Sequence, residues 1–321
     1  MTRTLLIAIG AGLAAALLFV VPLQGSAMAM VMTFLASLPL MIAGLGFGHV
    51  ATLVAGIIGA LSIALFLDPL FSLSFAFSVA LPAYWLCKQG SLCREDETGH
   101  IHWYPVSKLL VSIIYLSILT TLLVMLVLTL RAGSYESFVA DSTARLVPAL
   151  ETVWDQSRMP GSFKTEDLAR LIILALPLVM SGWTVITLGM NLWLAGRIVQ
   201  ISQLLQRPWE ELPEALSLPA MMSAVAAFSF LGLMIDGPIR VLSSATLAAI
   251  VIAYALVGMG IIHALTRGMS GRSTLLTLLY VIVLILMPWP LILPATFGVI
   301  DSFYPLRRRK VAVIPPPNPE D

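Results

Sequence analysis

The stretch GFGHVATLVAGIIGA, residues 46–60, sets four glycines and one histidine in an apolar run. Glycine costs a helix about 1 kcal/mol relative to alanine, and an ionisable ring in hydrocarbon must be partnered or hydrated. Both features make sense in a membrane helix that packs by close backbone approach, because the hydrophobic drive between helices is small inside lipid. The spacing fits that reading: Ala51, Ala55 and Gly59 recur every four residues, and Gly56, Ala60 and Ala64 form a neighbouring stripe. The first apolar run repeats the device with Ala8, Gly12 and Ala16, beside Ala11 and Ala15. The stripes read as internal packing faces, with docking of a partner subunit as the alternative. Gly46 and Gly48 mark a turn between two segments. His49, just after it, is expected at a hydrated interface, or else in a binding role.

Composition extends this reading to the whole chain. Of 321 residues, 59% are hydrophobic and 11% charged, where soluble domains carry about 25% charged residues. So much apolar surface needs lipid as its solvent. The net charge of +1 gives no case for a nucleic-acid partner.

Apolar runs long enough to cross a bilayer core fall at 4–22, 26–47, 49–67, 70–87, 107–130, 168–196, 216–234, 239–266 and 274–300. The expected fold is therefore all-α: a polytopic transmembrane helical bundle of about 8–9 segments, forming one integral membrane domain over residues 1–305. The first run could be a signal peptide, with Ala27-Met28-Ala29 as a small-x-small site. A retained helix is the preferred reading, since the run exceeds the roughly 7–15 residues of a signal core. The last run is interrupted by Pro288, Pro290 and Pro294 in MPWPLILP, and proline removes a backbone donor and clashes with the preceding turn. That segment is expected to kink or to return as two half-helices.

Basic residues near segment ends set the orientation. With the N-terminus inside, the loop at 88–106, the elbow at 197–215 and the Arg267–Arg272 turn are cytoplasmic, and the stretch at 132–167 is outside. A returning last segment brings the basic tail, LRRRK at 306–310, inside as well. The localisation that follows is a bacterial inner membrane with both termini cytoplasmic. The Pro-rich residues after Lys310 read as disordered.

In the outer stretch, Phe138, Leu146, Leu150, Val153 and Trp154 make a helical stripe. Such a helix lies along the membrane surface or covers a pocket mouth. Thr165 reads as the N-cap of the following helix. In the elbow, Ile198, Ile201, Leu204 and Leu205 suggest a short helix, broken by Pro208 and Pro213, with Trp209 at the headgroup level.

Few polar residues are candidates for chemistry. Asn191 is expected to hydrogen-bond to a neighbouring helix or to line a polar cavity. His263 lies near the inner end of its helix. Asp236 and Arg240, four residues apart, are expected to pair across one helical turn at a hairpin, with a charged gate as the alternative. Asp68 and Asp301 read as helix-end residues, Asp301 within reach of Arg307. Cys87, Cys93, His100 and His102 match no zinc spacing. There is no phosphate-binding glycine loop, H-E-x-x-H or G-x-S-x-G. Neither enzyme activity nor a cofactor nor a metal is expected.

The ordered motifs PLMIAGLGFGHVATLVAGIIGA, LPAYWLCKQG, NLWLAGRIVQIS, GMGIIHAL and FGVIDSFYPLRRR resemble the YybS-like family of predicted bacterial membrane proteins, a family without an assigned function. The resemblance runs over nearly the whole chain. The first four segments also resemble the substrate-binding membrane components of energy-coupling-factor vitamin transporters, and are similar to the rod-shape protein MreD. The transporter resemblance implies a membrane subunit that binds or moves a small hydrophobic or amphipathic molecule with partner proteins. The small-residue stripes and the scarcity of buried charge motivate the rival reading, a non-catalytic scaffold for envelope assembly. Membrane lipids are expected partners in either case.

Overall fold

The structure, a computed structural model, describes residues 2–21, 27–153, 164–304 and 306–307. It is all-α apart from one small hairpin, and six helical spans are long and apolar enough to cross a membrane. They are α1 (Thr2–Val20), α4 (His49–Phe66), the continuous span Pro69–Gly90, α7 (Val106–Ala132), α9 (Thr165–Ile201) and α12 (Pro238–Leu265). The span Pro69–Gly90 is α5 (Pro69–Phe75) and α6 (Leu81–Gly90) joined by a π-turn at Ala76–Ala80.

The other three runs are interrupted. Residues 26–47 divide into α2 (Ala27–Phe34) and α3 (Leu38–Phe47), with Pro39 in the first turn after the break. Residues 216–234 contribute α11 (Met221–Gly232), only 12 residues long. The last run divides at Pro288 and Pro290 into α13 (Arg272–Leu286) and α14 (Ile292–Phe303). Each break carries a proline near it, and apolar length alone cannot distinguish a crossing from two half-helices.

Two further helices complete the bundle: α8 (Tyr135–Val153), after α7, and the single turn α10 (Leu212–Ala215). The expected elbow helix differs from what is found. Ile198 and Ile201 belong to the end of α9, and the chain leaves helical form at Ser202, where Gln203 adopts a positive φ of 56°.

Helix α12 lies at the centre, against α7, α9, α10, α11 and α14. Polar links are sparse inside it: Ser181 of α9 donates to the Ala245 carbonyl at 2.7 Å and meets Ser117 of α7 at 3.2 Å. The close approach of α12 and α14 rests on reciprocal glycines. A Cβ on Gly258 would collide with the Pro294 carbonyl, and one on Gly298 with the Tyr254 carbonyl. Arg267, just past α12, and Arg307, just past α14, both reach Glu214, so the two helices run in the same direction. Helix α13 stands aside, with no buried residue of its own.

The N-terminal half packs α1, α3, α4 and α6 together. Ala51, Ala55, Gly56 and Gly59 are buried, and Ala60 is half-buried against the same core. A Cβ on Gly59 would sit 2.9 Å from the Gly12 carbonyl and from the Phe75 ring.

Three arginines gather at one end of the bundle. Arg207, 4% exposed, donates to the Gly90 and Tyr104 carbonyls at 3.2 Å and pairs with Glu210. It thus clamps the base of the hairpin β1 (Cys93–Glu95) and β2 (Ile101–Trp103). Arg267, just past α12, bridges Glu211 and Glu214. Arg307 pairs with Asp301 at 2.6 Å and donates to the Pro213 and Glu214 carbonyls. The 88–106 loop, the elbow, the end of α12 and the base of the tail therefore share one end of the molecule. Trp154 and the tail beyond Arg307 lie outside the described residues.

Candidate functional site

At the opposite end, α7 stops at Ala132, and Gly133, with φ 86°, reverses the chain. The Ser134 hydroxyl accepts the Ser137 amide at 3.0 Å and starts α8. Phe138, Val139 and Leu146 then fold α8 down onto α7 and α9, where they meet Met125, Ile173 and Val241. The stripe seen in the sequence is thus spent on helix packing over its first half, while Val153 remains exposed.

Helix α9 supplies the opposing wall. Its 37 residues extend about 55 Å at 1.5 Å per residue, well beyond a hydrocarbon core of about 30 Å. The first turns of α9, carrying Glu166, Asp167 and Arg170, have length to spare beyond the core. The N-cap is Lys164 rather than Thr165; Thr165 is the first helical residue, and its buried hydroxyl has no hydrogen-bond partner among the described residues.

Between α8, α9 and the turn before α12 lies a cavity of about 720 Å³. Its walls include Val139 and Thr143 of α8, Glu136 and Glu166 as acids, Arg170 as a base, and Asp236. Gly237, with φ 78°, and Pro238 make the turn that starts α12. Asp236 pairs with Arg240 at 2.9 Å, its side chain 88% exposed and that of Arg240 26%. Burial pushes the Tyr135 phenol above its ordinary pKa, with the Arg240 charge opposing, so Tyr135 stays a neutral hydroxyl on this wall. Thr143 is 6% exposed and its hydroxyl has no partner among the described residues. The cavity thus combines apolar side chains, charges of both signs and a buried hydroxyl unpaired among the described residues. This composition suits a small molecule with an apolar body and a charged group.

A second cavity, about 400 Å³, lies towards the arginine-rich end between α7, α9 and α12. Most of its lining is apolar; His263 and Tyr280 also line it, the imidazole meeting the Tyr280 hydroxyl at 2.8 Å. Trp209 lines it too, its indole lying over Gly196, where a Cβ would come within 2.5 Å of the ring.

The residues singled out in the sequence are therefore dispersed. Asp236 lines the first cavity, and Arg240 is its ion-pair partner. His263 lines the second. Asn191 is fully buried and lines neither; its amide donates to the Phe34 carbonyl at 2.6 Å and to the Ser37 hydroxyl at 2.9 Å. His49 opens α4, half-buried, its ring 6.2 Å from that of Tyr84. Cys87 is buried, Cys93 is exposed on the hairpin, and both are free thiols. No three His, Cys, Asp or Glu residues gather in a metal-binding arrangement among the described residues.

Glu136, Thr143 and Arg170 were missed as site residues. Each looks ordinary in its own segment, and only the reversal at Gly133 brings α8 onto α9. That turn was the available signal. No protein-family model, no curated protein and no solved structure matches the chain.

Proposed function

We propose that this protein is a multi-pass membrane subunit that binds or moves a small amphipathic molecule, acting with partner proteins. The observation that carries this reading is the cavity beneath α8, whose lining joins charges of both signs to apolar side chains such as Val139, Val147 and Leu174. Transporters keep polar groups and interrupted helices around their sites. The breaks between α2 and α3 and between α13 and α14 are in keeping with that pattern. The resemblance of the first four segments to vitamin-transporter substrate components points the same way. We place the protein in a bacterial inner membrane, with the arginine-rich end cytoplasmic as the positive-inside rule requires. In this orientation the cavity beneath α8 lies on the outer side, and both termini are cytoplasmic.

The test is to purify the protein gently and identify small molecules that leave with it on denaturation. Ala144, exposed on α8, lines the cavity, so Ala144→Trp fills the space without disturbing a buried position. The expected result is a defined molecule released from the native protein and absent from folded Ala144→Trp. Equal recovery from both would remove the cavity from the proposal.

A scaffold role in envelope assembly is the second reading. It is favoured by α13, an apolar helix of 15 residues none of which is buried, and thus a free face for another membrane protein.

A further inference from the structure

A third cavity, about 760 Å³, lies between the α4–α5 turn and the last turns of α7. It shares no lining residue with the cavity beneath α8. Its walls are apolar, with Phe66, Leu70, Phe71 and Phe77 on one side and Leu123 and Val127 on the other. Two charged residues line it, Asp68 and Arg131. Both stand at the ends of long apolar helices, the depth at which lipid headgroups lie. Leu123 is two turns of α7 below Arg131, about 12 Å at 1.5 Å per residue, so the walls descend into the hydrocarbon.

The two charges share the cavity without forming an ion pair with each other. Asp68 is held rigidly, because its Oδ1 caps α5 by accepting the Leu70 amide at 2.8 Å and the Phe71 amide at 3.0 Å. Its Oδ2 takes neither bond. Arg131 sits in the last turn of α7, with its guanidinium in no ion pair among the described residues. The groove thus presents an apolar cleft with one fixed anion and one cation at its mouth.

We propose that this groove is a phospholipid site selective for a phosphoethanolamine headgroup. Arg131 takes the phosphate, as a guanidinium fork does well. Asp68 Oδ2 accepts from the primary ammonium, and an acyl chain follows the walls between α5 and α7. The charge pattern argues against the other common headgroups. A quaternary ammonium has no N–H to give to Asp68, and the glycerol of an anionic headgroup offers Asp68 neutral hydroxyls in place of a cation, a weaker match than a charge-assisted bond. The inference does not depend on the function proposed for the cavity beneath α8.

The test uses the full chain in detergent, offered equal amounts of dioleoyl phosphatidylethanolamine, phosphatidylcholine and phosphatidylglycerol, with bound lipid read by native mass spectrometry. The expected result is phosphatidylethanolamine in excess over phosphatidylcholine by about tenfold, the factor that one charge-assisted hydrogen bond supplies. Asp68→Asn keeps an equally good helix cap and should erase that preference. Arg131→Gln should weaken retention of all three lipids. Equal retention of the three by the native protein, phosphatidylglycerol retained most, or an unchanged preference in Asp68→Asn would each overturn the proposal. Because Asparagine caps as aspartate does, Asp68→Asn decides the matter even where Arg131→Gln folds poorly.

Discussion

The Asn191 amide reaches the backbone carbonyl of Phe34, 157 residues earlier in the chain, at 2.6 Å. The carbonyl belongs to the last residue of α2, where the break before α3 leaves helix-end acceptors without their usual partners. One buried side chain thereby lets a membrane segment stop and restart inside the bundle. Asn191→Leu keeps the volume and strands the carbonyl, so it should lower stability by about 1–3 kcal/mol. Thermal unfolding in a single detergent measures this, with Ser37→Ala, which removes only the second acceptor, as the milder comparison. An Asn191→Leu protein as stable as the native one would show that the break needs no such support.

Gly59 leads to a prediction about steric tolerance. Its missing Cβ leaves room for the Gly12 carbonyl and the Phe75 ring, whereas Leu61, two residues on, is 57% exposed. Gly59→Leu should cost about 3 kcal/mol through overpacking, and Leu61→Ala should stay within about 0.5 kcal/mol. The yield of monodisperse protein after extraction reports the difference. Equal yields would place Gly59 against lipid.

The Asp236–Arg240 pair is mostly open to solvent on the acid's side. Reversing either charge alone should cost about 0–1 kcal/mol, and reversing both should recover most of it. Melting temperatures of the two single reversals and the double reversal form the cycle. A double reversal no better than the worse single one would mean that the two charges act independently.

Asp96 governs the small hairpin. Hydrogen bonds from the Thr98 hydroxyl, His102 and the His100 amide lower its carboxyl from the ordinary 3.8 to about 2. A depressed carboxyl pKa stabilises the fold fully above the unfolded value and loses that contribution as pH falls through the folded one. The Asp96–His102 contact should therefore persist at pH 4 and open as pH approaches about 2. The His102 and Trp103 ring resonances follow this directly. Asp96→Asn should show the open hairpin already at neutral pH, and a hairpin unchanged in that variant would relocate its support to the Arg207 clamp.

The long spans were legible because α7, α9 and α12 each hold an apolar run well beyond the crossing length. The interrupted runs were legible only in part. MPWPLILP announces its break, but nothing local to Phe34–Ser37 shows that a distant asparagine will hold the chain ends. Arg207 was invisible as a buried residue. Its partners are backbone carbonyls at Gly90 and Tyr104, which every sequence offers everywhere. The cavity beneath α8 was legible as a covering helix and not as a site, because Glu136, Thr143, Arg170 and Asp236 come from three separated segments.

The reciprocal glycines of α12 and α14 also bear on how the chain is made. Gly258 is seated against Pro294, 36 positions later in the sequence. At about 5–20 residues per second, the ribosome delivers that cover roughly 2–7 s after α12 itself. During that interval the central helix of the bundle waits in the membrane with one backbone face open, and whatever shields it then, lipid or insertion machinery, must give way to α14.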